Sequence, residues 1–227
     1  MPRHHWNILS AVLLIGGCNA ANHSDPRAEG SGKVNAADVK FETSEDPPLQ
    51  AKTHFAAGQL AETRGDYLVA VEQYGKAIKL QPKCKEALYH LGIVYCHLER
   101  YSDGIIAWNE YLKATDGEAT GYSNLGFCYE LANKHSQAEA AYRQGLEKDP
   151  NNNPCRVNFG LMLARDNRIG EATIQLQAVL SPAEVHYNLA SVYEQQGHPD
   201  RAKAEYRKAL DADPSLSDAE VRLSVLK

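Results

Sequence analysis

The sequence lacks an excess of positive charge. Its 227 residues carry 24 Lys and Arg against 29 Asp and Glu, which gives a formal net charge of -5. A nucleic-acid-binding domain needs a basic stripe to neutralise phosphates, and electrostatic attachment to an anionic membrane surface needs a cluster of Lys and Arg. Neither feature is present. We therefore exclude nucleic acid and a charge-bound lipid surface as partners.

Long hydrophobic runs are also missing. The apolar stretch from Ile8 to Ile15 follows Arg3 and is too short to cross a membrane as a helix. A basic start, a short apolar core and small residues at the end are typical of a secretory signal. We predict a signal peptide over residues 1–17.

The end of this segment reads Leu14-Ile15-Gly16-Gly17-Cys18. It resembles the lipobox of bacterial lipoproteins, which implies that Cys18 becomes the first mature residue and carries several acyl chains, a stable membrane anchor. The alternative is an ordinary secretory peptide with a chance cysteine. Asn19 stands where Asp would mark retention in the inner membrane, so we expect the outer membrane, facing the periplasm. The polar residues 18–50 are predicted to be a flexible tether.

Enzyme motifs are absent as well. The chain shows no nucleophile with a partnered base, no phosphate-binding loop and no metalloprotease motif. We predict no catalytic residue, no cofactor, no metal and no small-molecule substrate. Four cysteines remain besides Cys18, namely Cys84, Cys96, Cys128 and Cys155. Buried free thiols are favoured for them, while a Cys96–Cys128 disulfide and a metal site that adds His90 and His97 stay open.

What the sequence has instead is an internal repeat. Small residues recur every 34 positions at Gly58, Gly92, Gly126 and Gly160, and Ala190 follows after 30. Two further series keep fixed offsets from the first: Ala70, Gly104, Ala138, Ala172, Ala202 and Tyr74, Trp108, Tyr142, Leu176, Tyr206. This period and pattern resemble the tetratricopeptide repeat, a helix–turn–helix unit. The resemblance implies an all-α, right-handed superhelical solenoid.

We place five repeat units at residues 51–84, 85–118, 119–152, 153–182 and 183–214, followed by a capping helix at 215–227. Small residues on both helices of a unit let the two helices approach closely, and neighbouring units stack because one helix pair cannot bury its apolar face. Gly65, Asn133 and Gly197 lie at the predicted turns, where a positive φ is easiest.

Three local departures carry further expectations. The fourth unit is four residues short, so its second helix should be shorter, and Ser181 to Glu184 predict a capping box for the next helix. A second capping box is predicted at Ser217 to Glu220. Tyr111 stands where other units carry small residues or valine, and we expect this ring to loosen the junction between units two and three.

In such superhelices the first helices line the concave side, which is the default binding surface. The apolar candidates for a peptide-binding groove are Phe55, Tyr89, Ile93, Phe127, Leu131 and Leu161. Asn124, Asn158 and Asn188 share one position in consecutive units, and their amides could hold a peptide backbone. The alternatives are that the apolar side chains pack within or between units and that the amides bond inside the fold.

The basic clamp by which some repeat proteins hold a terminal carboxylate is not expected here, because its positions carry Phe55, Gln59, His90, Thr120 and Asn124. The combination of lipid anchor and repeats resembles the lipoproteins of pilus and tight-adherence assembly. It implies a scaffold or chaperone for a protein or peptide partner in the bacterial envelope. The alternatives are an adaptor for envelope enzymes, such as peptidoglycan hydrolases or proteases, and a thiol- or metal-binding protein.

Overall fold

The structure, a computed structural model, describes residues 50–226, so the predicted signal peptide, Cys18 and most of the predicted tether lie outside the described range. Within that range the chain forms eleven α-helices and no strand. The helices are α1 Ala51–Thr63, α2 Tyr67–Leu80, α3 Lys85–His97, α4 Tyr101–Ala114, α5 Ala119–Leu131, α6 His135–Lys148, α7 Asn153–Arg165, α8 Ile169–Gln177, α9 Pro182–Gln195, α10 Pro199–Ala212 and α11 Ser217–Val225.

The helices pack as successive pairs. Each odd-numbered helix from α1 to α9 packs against the helix that follows it, and α11 packs against α10. The odd-numbered helices also contact one another from unit to unit, whereas each even-numbered helix contacts the first helix of the next unit. This arrangement is an all-helical repeat solenoid, as predicted, and its core is a chain of four buried clusters along the array.

One contact repeats in the first four units and fixes the helix pairs. The glycine on the first helix faces the large side chain on the second, so that a Cβ on the glycine would lie well inside contact distance. For Gly58 the nearest Tyr74 ring atom would be 2.5 Å away, and for Gly126 the nearest Tyr142 ring atom would be 2.7 Å away. Real Cβ atoms do not approach so closely, so the sequence needs glycine at these positions.

The turn inside each unit uses a left-handed residue. Gly65 and Gly197 have φ of 78° and 75°, and Asn133 has φ of 56°, as expected. Glu99 and Asn167, which the sequence analysis did not single out, fill the same place at φ of 58° and 60°. In each turn the residue after the left-handed one donates its N–H to a carbonyl five residues back, which is a Schellman motif.

The fourth unit is shortened in its second helix. Helix α8 has 9 residues, whereas α2, α4, α6 and α10 have 14 each. Helix α9 then begins at once with the predicted capping box, in which the Ser181 side chain accepts from the Glu184 N–H and the Glu184 carboxylate accepts from the Ser181 N–H. Both expectations for this unit are confirmed.

The expected loosening at Tyr111 is wrong. Its ring is 6% exposed and packs between units two and three, and its hydroxyl donates a 2.7 Å hydrogen bond to Glu118. The space comes from Gly121, where a Cβ would lie 2.8 Å from the Tyr111 ring. A small residue on the next helix thus accommodates the large one, and the junction remains packed.

The end of the array differs from expectation in one detail. Helix α11 begins at Ser217, but its N-cap is Leu216 and no side-chain cap hydrogen bond forms. Leu216 packs against the last buried cluster together with Leu223, while Val221 stays exposed. Burial of Leu216 starts the helix one residue too early for the Ser217 hydroxyl to act as a cap, so the second predicted capping box is absent.

Candidate peptide-binding groove

The first helices of the five units form one continuous layer, since α1, α3, α5, α7 and α9 contact each other in sequence. We call the side of this layer that faces away from the second helices the groove. All nine predicted peptide-binding residues lie on these helices. The structure therefore places them on one layer, but their environments differ.

Phe127 and Leu131 are the most available apolar side chains of the predicted set. They lie one helical turn apart on α5 and are half-buried. Among the described residues, neither side chain belongs to or packs against any of the four buried clusters. Two neighbouring apolar side chains without a cluster of their own form a suitable contact surface for an apolar partner segment.

The other apolar candidates have structural contacts. The Phe55 ring lies 5.9 Å from the Tyr74 ring and 5.6 Å from the His90 ring, measured between centroids. Tyr89 meets Trp108 edge-on at 5.3 Å. Four of the apolar candidates are only partly buried, and each packs against one of the clusters, namely Phe55, Tyr89, Ile93 and Leu161. They support the fold and leave part of their surface to the groove.

The predicted asparagines use part of their hydrogen-bonding capacity inside the protein. Asn158 donates to the Ser123 hydroxyl at 3.3 Å, and Asn188 donates to the Glu184 carbonyl oxygen at 2.8 Å. Burial raises the pKa of Tyr89, and a hydrogen bond with Asn124 partly offsets this rise. Each amide has an internal partner, so their role toward a peptide backbone stays a prediction.

The sequence places Glu62, Glu130 and Glu194 on the first helices, at the concave surface, but sequence reasoning missed the partners that these carboxylates find in the next unit. Glu62 accepts from His90 of the next unit at 2.9 Å. Glu130 pairs with Arg165 of the next unit at 2.6 Å, and Glu194 accepts from Arg222 of α11 at 3.1 Å. These polar contacts join the first helices to the next unit or to α11. The spacing of the carboxylates, 68 and 64 residues with one in every second unit, is the signal that could have revealed these contacts.

The pKa values of Glu62 and Glu130 are shifted in opposite directions. Burial pushes the pKa of Glu62 up, but hydrogen bonds from His90 and Tyr74 outweigh it, so the pKa lies below the ordinary value. For Glu130 the desolvation prevails over the attraction of Arg165, and its pKa is raised. Glu130 Oε2 and Arg165 Nε are buried without a hydrogen-bond partner. The Glu130–Arg165 pair is therefore less fully hydrogen-bonded than the Glu62–His90 pair.

The thiols form no disulfide in the described range. Cys84, Cys128 and Cys155 are buried, Cys96 is half-buried, and all four are free. Residues 50–226 contain no group of three or more His, Cys, Asp or Glu side chains arranged to hold a metal ion. The Cys155 thiol, for example, fills the space left by Gly145, whose Cβ would lie 2.9 Å from it.

Two surface cavities lie elsewhere, at the junction of units two and three. One of about 550 Å³ is bounded by α4, α5 and α6, with Leu112, Tyr122 and Tyr129 in its wall. A second of about 850 Å³ is lined by Lys83, Lys113 and other polar residues. Both are open surface clefts, the first with a mixed lining and the second with a mostly polar one, and no predicted peptide-binding residue lines either of them.

Comparison with known proteins agrees with this architecture. Family models described as tetratricopeptide repeat match residues 55–119, 119–152 and 183–216, together more than half of the chain. The chain is a tetratricopeptide repeat protein. Among curated relatives, the small glutamine-rich tetratricopeptide repeat-containing protein 2 of Mycosarcoma maydis is 28% identical over 109 residues, which is 48% of this chain and 31% of that protein. Heat shock protein STI1 of Saccharomyces cerevisiae is 29% identical over 109 residues, 48% of this chain and 18% of that protein.

This tetratricopeptide repeat chain thus spans less than a third of the length of these relatives. Among solved structures, YrrB, described as a TPR protein with an unusual peptide-binding site, superposes with a TM-score of 0.53 at 23% identity, over 78% of this chain and 93% of YrrB. PilW, described as a widely conserved type IV pilus biogenesis factor, gives a TM-score of 0.59 at 19% identity, over 76% and 82%. At these identities the likeness is one of fold.

None of the helices in residues 50–226 has the length and apolar character needed to cross a membrane. The predicted lipidation at Cys18 falls outside the described residues.

Proposed function

We propose that this tetratricopeptide repeat chain is a non-catalytic scaffold or chaperone that holds an apolar segment of a partner protein in its groove. The observation that carries the proposal is the pair Phe127 and Leu131, half-buried on α5 and packed against none of the described buried clusters. An amphipathic helix or an extended apolar peptide can cover such a pair and remove its apolar surface from water.

The side chains on either side of Phe127 and Leu131 also support an apolar partner segment. Partly exposed rings and aliphatic side chains at Phe55, Tyr89 and Leu161 extend the apolar surface on either side of α5. Arg165 of α7, which is partly exposed and paired with the buried Glu130, adds a polar donor group. The mixture suits a partner segment with apolar anchors and a polar backbone, which is the usual composition of a protein ligand site.

We further propose that the chain acts in the bacterial envelope, anchored by lipid on Cys18 to the outer membrane and facing the periplasm. The lipobox-like sequence Leu14 to Cys18 motivates the anchor. The fold that the chain shares with PilW, a type IV pilus biogenesis factor, supports a role in the assembly of a pilus or secretion complex. YrrB, with its peptide-binding site, supports peptide recognition by this fold.

The test is affinity capture from crosslinked envelopes of three chains: the native form, the Phe127→Ala/Leu131→Ala variant and a control. The control is Ile106→Ala/Ile174→Ala, which removes apolar side chains that are 61% and 65% exposed on the second helices, away from the groove. We expect a dominant partner with the native chain and the control, and its loss with the groove variant. A partner that survives the groove variant would overturn the groove assignment.

The process and the anchor need separate tests. In a pilus or secretion role, deletion of the protein should deplete secretin multimers from the outer membrane, and unchanged multimers would exclude it. Capture of a peptidoglycan hydrolase or protease would instead favour the adaptor role. For the anchor, Cys18→Ser should abolish incorporation of labelled fatty acid and accumulate the uncleaved precursor. Incorporation of label into the Cys18→Ser chain would refute lipidation at this residue.

A further inference from the structure

Two cysteines of neighbouring units meet over one glycine. Cys96 lies in the last turn of α3, Cys128 lies in α5, and Gly104 of α4 faces both. A Cβ on Gly104 would stand 3.0 Å from Cys128 Sγ and 3.5 Å from Cys96 Sγ. A Cβ at this position would crowd the Cys128 sulfur, whereas its distance from the Cys96 sulfur would be an ordinary contact. The absence of a side chain at Gly104 therefore leaves room for both sulfurs on the same side of α4.

The two thiols differ in access and in acidity. Cys96 is half-buried, whereas Cys128 has no exposed surface and its Sγ lies 3.4 Å from the Tyr101 carbonyl oxygen. The neighbouring Cys128 thiol lowers the pKa of Cys96, and burial opposes this. The pKa of Cys128 is raised. A partly exposed thiol with a lowered pKa beside a buried thiol with a raised pKa is the usual arrangement of an attacking and a resolving cysteine.

We propose that Cys96 and Cys128 form a redox-active pair that is converted to an intramolecular disulfide. The oxidant class is a low-molecular-weight disulfide or the catalytic disulfide of an oxidoreductase. This inference is independent of the peptide-binding proposal, because it uses neither Phe127 nor Leu131.

The reaction proceeds by two thiol–disulfide exchanges. The Cys96 thiolate attacks one sulfur of the oxidant RS–SR, the S–S bond of the oxidant breaks, and RS⁻ leaves and takes up a proton. The Cys128 thiol then loses its proton and attacks the Cys96 sulfur of the mixed disulfide, and the second RS⁻ leaves. The two cysteine sulfurs lose two electrons to the oxidant, which becomes two molecules of RSH.

The disulfide would tie unit two to unit three. It joins α3 to α5 across 32 residues of sequence and restricts the unfolded chain, so the oxidised protein should be the more stable form. Cys128 also follows Phe127 directly in α5. The redox state would therefore set how firmly the helix that carries the groove residues is held against the preceding unit.

The remaining two cysteines of the described range serve as controls. Cys84 belongs to the cluster around Tyr74 and Ala77, and Cys155 belongs to the cluster around Tyr142 and Phe159. The Cys155 thiol contacts the Tyr142 carbonyl oxygen at 3.3 Å. Neither residue shares a cluster with Cys96 and Cys128, which both contribute to the cluster around Trp108.

The experiment exposes the folded full-length chain to oxidised glutathione, blocks the remaining thiols and maps disulfides after trypsin digestion. The expected product joins the peptides 86–100 and 114–134, which contain Cys96 and Cys128. Cys84→Ala should give the same linked peptide. Cys128→Ser should instead stop at the mixed disulfide, with glutathione on Cys96, whereas Cys96→Ser should leave Cys128 unmodified.

Each outcome of this experiment either supports or overturns the proposed Cys96–Cys128 pair. The linked peptide, together with a rise of several degrees in the unfolding temperature that dithiothreitol reverses, supports the proposal. Unmodified thiols after equilibration with the oxidant, a link that uses Cys84 or Cys155, or dimers joined between chains would overturn it. Glutathione on Cys128 in the Cys96→Ser variant would overturn the assigned order of attack.

Discussion

Tyr74 donates a 2.6 Å hydrogen bond from its phenol to Glu62, which lies twelve residues earlier on the first helix of the same unit. Unit five repeats the relationship, with Tyr206 donating to Glu194 at 2.9 Å. Both rings are almost fully buried. A buried phenol needs an acceptor, so the carboxylate and the tyrosine form one polar pair inside the helix contact.

In units where the position equivalent to Tyr74 is not a tyrosine, the position equivalent to Glu62 is not a carboxylate. In unit four the corresponding residues are Leu176 and Ala164, both buried and apolar, and no acceptor is needed. In unit two Trp108 faces Cys96. In unit three Tyr142 and Glu130 occupy the same two positions, but the Tyr142 hydroxyl is buried without a hydrogen-bond partner. Cys96, one member of the redox pair proposed above, thus occupies the position at which units one, three and five carry a carboxylate. The thiol chemistry of unit two is thus a local variant of a repeated structural position.

The pH dependence of stability follows from these carboxylates. The pKa of Glu62 is lowered in the folded state, so the unfolded chain binds more protons and stability rises with pH in the acidic range between the folded and the unfolded pKa of this carboxylate. The pKa of Glu130 is raised, so its contribution falls as pH rises through its folded pKa. We expect Glu62→Gln to flatten the rise of unfolding free energy with pH and Glu130→Gln to steepen it. Urea unfolding at a series of pH values measures both slopes. Slope changes of the same sign in the two variants would contradict the assignment.

The glycine–ring contacts predict a large effect from a small change. Gly126→Ala places a methyl group 2.7 Å from the Tyr142 ring, which is fully buried. We expect a loss of about 1–3 kcal/mol in the free energy of unfolding, the usual cost of overpacking. The control is Gly75→Ala in α2, where nothing lies within 4 Å of the added Cβ. It should gain about 0.5–1 kcal/mol, because alanine favours a helix over glycine. Urea denaturation compares the two variants, and equal effects would refute the contact.

The repeat pattern predicted the helix contacts that recur from unit to unit, but it did not predict features that depend on the particular residues of one unit. The series of Gly58 and Tyr74 equivalents predicted the helix pairs, because each contact recurs at a fixed spacing. Glu99 was missed as a turn residue because its residue type gives no signal for a positive φ, and only its place in the repeat does so. The environment of Tyr111 depends on Gly121 in another unit, which the pattern within one unit cannot show.

The candidate groove was predictable to the level of helices and no further. The repeat placed all its residues on the first helices, but the spacing could not tell Phe127, which lies outside the described clusters, from Tyr89, which packs against Trp108. That difference depends on the size of the neighbouring side chains. Likewise, the internal partners of Asn158 and Asn188 follow from side-chain rotamers, which the pattern does not contain.

The junction of units two and three predicts a coupled pair of substitutions. Gly121→Ala places a Cβ 2.8 Å from the Tyr111 ring and 2.7 Å from Leu112, and the buried ring has little room to yield. We expect this variant to lose about 1–3 kcal/mol. In a Tyr111→Ala background the same change should cost less, because only the contact with the end of the Leu112 side chain remains. The corresponding positions of the preceding junction, Ala77 and Ala87, pack as two alanines in one cluster.

The measurement for this pair is a double-mutant cycle by urea unfolding. Tyr111→Ala alone should lose about 3–5 kcal/mol, since it removes a buried ring and its hydrogen bond to Glu118. The coupling energy between the two substitutions should be about 1 kcal/mol or more. Strict additivity would show that Gly121 does not make room for Tyr111.

The last prediction compares two serines that look alike in sequence. Ser181 begins a formed capping box, in which its hydroxyl accepts from the Glu184 N–H at 3.3 Å, whereas Ser217 makes no cap hydrogen bond. Ser181→Ala should therefore lose about 0.5–2 kcal/mol of unfolding free energy. Ser217→Ala should change stability by less than about 0.5 kcal/mol, as is usual for an exposed position without such a feature. Because the missing cap at Ser217 is attributed to the burial of Leu216, Leu216→Gly should free the helix start, after which Ser217→Ala becomes costly. If Ser217→Ala is already as costly as Ser181→Ala in the native chain, the helix begins at the residue that the sequence predicted and Leu216 is not its cap.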